Sequence, residues 1–177
     1  LPISVKDIIP VKDVRFTCGS LTMADTVADV DAVAVERLKA VNASIIGKTT
    51  TAEFGAKAMG DSPLSGITRN PWNINKTPGG SSAGASASVA AGVTPFALGT
   101  DGGGSARLPS SFCGIFGIKP QFGRIPFFPF GGAPSINHMG IFSRTVRDAA
   151  FLLSVLSGFD DRDPSSLQDP VPDFIGA

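Results

Sequence analysis

The stretch GTDGGGSARLPSS, residues 99–111, sets three glycines directly before Ser105, with Arg107 two positions beyond. Glycine loses more conformational freedom on folding than any other residue, so a triplet weakens its element unless bare backbone is needed there. A strand ending in consecutive glycines can curl until successive N–H groups face one point, a nest for an anion. Beside a serine, that anion would be the oxyanion of an acyl group under attack, which preorganised donors stabilise. A floppy linker is the other reading. A second serine candidate lies upstream. Gly80-Ser81-Ser82-Ala83-Gly84 satisfies G-x-S-x-G, the nucleophile elbow of α/β-hydrolases, with Ser82 as nucleophile. Asp101 and His138 follow in the chain order of such a triad, and His138 is the sole histidine. Against it, an elbow follows directly on a buried strand, whereas Asn70–Gly80 is polar and bears proline. A lone histidine near a glycine reads first as a loop or core residue.

Two nucleotide-binding motifs fail. IIGKTTT (45–51) ends like a phosphate-binding loop, but Asn42 stands where the first glycine is needed, and Lys48 reads as a solvated lysine at a strand end. The glycine triplet is no dinucleotide fingerprint either, because Arg107 holds the place of the last glycine. Lys+Arg and Asp+Glu both count 15, so the net charge is zero and no basic field points to nucleic acid. No apolar run approaches the ~20 residues of a membrane span, and the start does not read as a signal peptide. Cys18 and Cys113 give neither zinc spacing nor a disulfide framework, which makes the cytoplasm the default.

The elements that must position these groups alternate between strand and helix, the mark of an α/β protein. LPISV (1–5) and SIIG (44–47) read as strands, and TPFAL (94–98) as the strand that feeds the glycine triplet. Asp31 is placed to cap a helix over 32–41. SAGASASVAA (82–91) is nearly all small residues, suited to a helix pressed closely on a sheet, with Gly92 as its stop. The clearest helix is 146–157, with Thr145 and Asp148 as a capping box and Gly158 beyond it. Residues 121–132 form a Pro/Phe/Gly-rich loop. Its Phe127, Phe128 and Phe130 read first as packing on their own domain and second as an apolar acyl pocket.

PGGSSAGASASVAAG (78–92), GTDGGGSARLPSSFCGIFGIKP (99–120) and TRNPWN (68–73) resemble the amidase signature family of serine hydrolases. The likeness extends from LPISVKD to the Asp- and Pro-rich tail. It implies a Ser–cisSer–Lys triad without histidine. By motif position the nucleophile falls on Ser105, the bridging serine on Ser81 and the lysine on Lys6, with separations of 24 and 75 residues. Lys48 belongs by the same resemblance to the turn after the catalytic lysine. Without the resemblance, Lys6 reads as a surface lysine and Ser81 as a turn serine.

The implied relay runs from the Ser105 hydroxyl to Ser81 and on to Lys6. A serine hydroxyl at its own pKa is a poor nucleophile and needs such a base. Lysine serves only when neutral, which burial favours by disfavouring the ammonium. The resemblance places the oxyanion hole on the N–H groups of Gly102, Gly103, Gly104 and Ser105. Asp101 and Arg107 are expected as buried polar partners holding that loop, and Ser82 and Thr100 as hydrogen-bonding neighbours. Ala83 and Gly102 depart from the residues common in the family, and neither removes a catalytic group.

The implied fold is α/β, a mixed central sheet flanked by helices and incomplete here, since family members are usually much longer. The chain is thus expected to be a fragment covering the signature core, leaving an apolar sheet edge and helix face exposed. Residues 1–158 would form the partial catalytic core, and 159–177 a polar, Pro-rich exit segment leading to a missing C-terminal part. The expected activity is hydrolysis of a linear carboxamide through an acyl-Ser105 intermediate, with no metal or cofactor. A small-molecule amide is the expected partner, and a homodimer or association with the remainder of the fold stays open. The rivals are a Ser82/Asp101/His138 esterase and a truncated, catalytically inert paralogue.

Overall fold

Short apolar strands carry large side chains toward one face and small or polar ones toward the other. The computed structural model describes residues 1–176. In β1 (Pro2–Lys6), Ile3 and Val5 alternate with Ser4 and Lys6, as the two-residue period of a strand requires. β1 pairs in parallel with β2 (Ser44–Thr49) on one side and with β5 (Phe96–Thr100) on the other. Two short strands, β3 (Asp61–Ser62) and β4 (Gly66–Ile67), form a separate antiparallel pair. β7 (Met139–Ser143) runs antiparallel to both β5 and β6 (Phe116–Ile118), giving a mixed sheet of order β2-β1-β5-β7-β6.

Helices cover both faces. α1 (Val33–Ala40) and α4 (Val146–Leu156) enclose a core of Ile3, Val5, Leu38, Leu98, Ile141 and Leu156. On the opposite face α2 (Ala83–Ala90) and α3 (Arg107–Cys113) close over a second cluster of Ala85, Val89, Ala97, Ala106 and Phe142. The alanine- and serine-rich face of α2 permits this close approach. Gly99 of β5 is part of the same fit, because a Cβ there would lie 2.8 Å from the Ser82 hydroxyl. The capping box of α4 forms as expected, Thr145 Oγ1 accepting the Asp148 N–H at 3.1 Å.

Several expectations are corrected. The sheet is expected from the sequence to be incomplete; instead the mixed sheet stands with helices on both faces, and Val5, Leu98, Ile141 and Phe142 are fully buried between them. Asp31 does not cap α1, whose N-cap is Ala32; its carboxylate accepts the Lys12 N–H and pairs with Lys39 at 2.6 Å. α3 is not among the expected helices, because Pro109 weakens a helical pattern. It lies in the first turn, where a missing N–H costs nothing. β6 and β7 also lie outside the expected elements. The segment after α4 packs back on the body: Asp163 accepts the Phe127 N–H at 2.8 Å, and Arg162 pairs with Glu36 at 2.6 Å. Among the described residues, no helix is long and apolar enough to cross a membrane.

Candidate active site

Because β1 and β5 are parallel neighbours, their carboxyl ends emerge together, and Lys6 and Thr100 meet there. Lys6 Nζ donates to Thr100 Oγ1 at 2.8 Å and to Ser81 Oγ at 2.7 Å. The lysine has no solvent exposure. Burial lowers its pKa from 10.5 to about 7, against an opposing pull from the negative charge of Asp101. Burial thus favours the free amine, the form able to take a proton from a hydroxyl beside it.

Ser81 reaches that amine from a tight bend before α2. The Gly80–Ser81 peptide is cis, and Gly79 has φ +79°. At Gly80 a Cβ would collide with the Met59 backbone, so only glycine fits. Ser82, the next residue, points elsewhere. Its hydroxyl donates to the Thr100 carbonyl at 3.1 Å and accepts the Thr100 N–H at 3.3 Å, tying the start of α2 to β5.

Past β5 the chain wraps around one carboxylate. Asp101 is fully buried and accepts from the N–H groups of Gly104 at 2.7 Å, Ala106 at 3.1 Å and Arg107 at 3.2 Å. The Arg107 guanidinium adds two bonds, both at 2.9 Å. Burial alone would raise the Asp101 pKa, but Arg107 and the three N–H groups outweigh it and hold the carboxyl at about 2. Arg107 itself is half-exposed rather than buried as expected. The consequence for the loop is specific. Gly104 spends its N–H on Asp101, whereas the N–H groups of Gly102, Gly103 and Ser105 meet no acceptor among the described residues. Lys119 braces the loop from outside, donating to the Gly102 carbonyl at 2.9 Å.

Ser81, Thr100, Gly102, Gly103 and Ser105 all border one cavity of about 950 Å³. Phe127 and Phe130 border it too, while Phe127 also packs against the core of its own domain. Phe128 instead packs edge-on against Phe130 and beneath the Arg162 guanidinium.

Other candidate groups are not gathered here. His138 Nδ1 contacts the Ile136 carbonyl at 2.8 Å and its ring sits against Phe122, while Ser82 is bonded to β5 and Asp101 to Arg107. No hydrogen bond joins Ser82 to His138 among the described residues. Lys48 is not solvated as expected. It donates to the Ile9 carbonyl at 2.8 Å, lies 3.2 Å from Asp7 and sits over the Phe16 ring. Lys119 and the Asp7–Lys48 pair escape sequence reasoning; both act across long chain separations, without a local pattern to reveal them.

A family model described as Amidase matches residues 1–176. A glutamyl-tRNA(Gln) amidotransferase subunit of Persephonella marina is 42% identical over 175 residues, 98% of this chain and 36% of that protein. The structure of a 6-aminohexanoate cyclic dimer hydrolase complexed with substrate superposes with a TM-score of 0.93 at 36% identity, covering 99% of this chain and 38% of the other. The crystal structure of the corresponding glutamyl-tRNA(Gln) amidotransferase subunit from Thermotoga maritima gives 0.87 at 33% identity, covering 97% and 38%. The family match is not confined to a signature core: it runs over residues 1–176, the tail included. The chain spans a little over a third of the length of these relatives.

Proposed function

This chain belongs to the amidase signature family, and we propose that it hydrolyses linear carboxamides through an acyl-Ser105 intermediate. One observation carries the reading: a fully buried lysine amine lies 2.7 Å from the Ser81 hydroxyl, and Ser81 borders the same cavity as Ser105. Ser105 Oγ attacks the amide carbon, its proton passing to Ser81 Oγ while the Ser81 proton passes to Lys6 Nζ. The oxyanion is received by the free N–H groups of Gly102, Gly103 and Ser105, with Gly104 held back by Asp101. Thr100 fixes the second hydrogen bond of Lys6, and Ser82, Asp101 and Arg107 hold the surrounding backbone. When the C–N bond breaks, Ser81 protonates the leaving nitrogen and recovers its proton from Lys6. Water then attacks the acyl ester through the same relay and releases the carboxylic acid. The substrate is a small-molecule amide, and the setting is the cytoplasm, which the two free cysteines support.

Labelling with a fluorophosphonate followed by peptide mapping tests the assignment. The adduct is expected on Ser105; an adduct on Ser82, or none, would overturn it.

A further inference from the structure

The cavity beside Ser105 is unevenly furnished. Its lining combines the hydroxyls of Ser81, Thr100 and Ser105 and the bare N–H groups of the glycine loop with the apolar side chains of Phe16, Phe54, Phe127, Phe130, Ile136 and Met139. Among the described residues bordering it, the one charged side chain is Asp29, which is exposed; no lysine or arginine lines it. The cations nearby are committed elsewhere. Lys6 is bonded to Ser81 and Thr100, Lys48 to Asp7 and Ile9, Lys119 to Gly102 and Arg107 to Asp101.

We propose that this site selects carboxamides with an uncharged, apolar acyl chain and rejects acyl groups that end in a carboxylate. The inference rests on the reading of Ser105 as the acylated residue. Ring and aliphatic walls reward an apolar chain by removing it from water. A carboxylate drawn into the same space loses hydration, finds no cation to pair with and meets the negative charge of Asp29. The discrimination thus has an attractive and a repulsive component.

Two fluorophosphonates of equal chain length, one ending in methyl and one in carboxylate, give the test, with Ser105 adduct formation followed by mass spectrometry. The methyl-ended probe is expected to react on the order of 100-fold faster, the size of effect an unpaired charge in an apolar site produces. Val27 borders the cavity and is exposed, so V27R sets a cation on the wall without a buried change and should narrow the ratio. Hexanamide and adipamate, compared by kcat/KM, should fall in the same order. Equal rates, a faster carboxylate probe, or a ratio unmoved by V27R would overturn the substrate class while leaving Ser105 as nucleophile intact. Absence of a Ser105 adduct with either probe would overturn both.

Discussion

Replacing Asp101 by asparagine removes one charge and turns one of two acceptor oxygens into a donor, in the middle of five hydrogen bonds. The drop of its pKa from 3.8 to about 2 corresponds to about 2 kcal/mol of stabilisation specific to the carboxylate. Arg107 is half-exposed and regains water when released, so the loss should not greatly exceed that figure. For a chain of this length, about 2 kcal/mol lowers Tm by roughly 4–8 °C. The folded pKa lies below the unfolded one, so the contribution is complete above pH 3.8 and disappears as the pH falls through about 2. Melts of wild type and D101N across that range should converge toward the acid end. A second readout is independent of stability. The charge of Asp101 raises the pKa of Lys6, so D101N should move the midpoint of Ser105 labelling below about 7. An unchanged Tm, or a midpoint that moves upward, would rule out this role for the Asp101 charge.

The remaining expectations concern the relay and its loop. In the wild type, Ser105 labelling should rise with pH to a plateau with a midpoint near 7, because the neutral Lys6 amine is the competent form; a midpoint near 10.5 would contradict it. Between those values the unfolded chain holds a proton that the folded chain lacks, so stability should also rise with pH, a slope that K6M removes along with at least about 10³-fold of the labelling rate. A Cβ on Gly103 meets nothing within 4 Å, so G103A should melt as the wild type does yet lose about 10- to 100-fold in kcat/KM, since its methyl enters the cavity beside the carbonyl site; unimpaired turnover would count against the oxyanion assignment. H138A should retain turnover within about twofold, and its loss would revive the histidine triad, against the general-base contribution such a residue makes.

The legible parts of the molecule are those written in local pattern. The apolar strands around Val5 and Leu98, the small-residue helix α2 and the glycines before Ser105 announce themselves within a few residues of chain. Ser81 and Ser105 are singled out by the contiguous motifs that carry the family resemblance, and both border the same cavity. Other features depend on what the fold brings alongside. β6 and β7 are short segments that become strands through pairing with each other and with β5. Lys48 looks like a surface residue until the loop carrying Ile9 and Phe16 folds over it. That Gly104 turns its N–H to Asp101 is a matter of backbone direction, with φ +135° at that residue, and spacing alone does not encode it.

The partners of Lys6 lie 75 and 94 residues away along the chain. Such non-local contacts form only after the loops between them have closed. Until β1 docks against β5 and α2 covers the junction, Lys6 is an ordinary hydrated ammonium and Ser105 an ordinary alcohol. On the proposed assignment, the reactivity of Ser105 is therefore a property of the finished tertiary structure, absent from any collapsed or nascent form. Counted per molecule, Ser105 adducts would measure the fraction of chains that have completed folding, an internal gauge of conformational quality that total protein concentration does not provide.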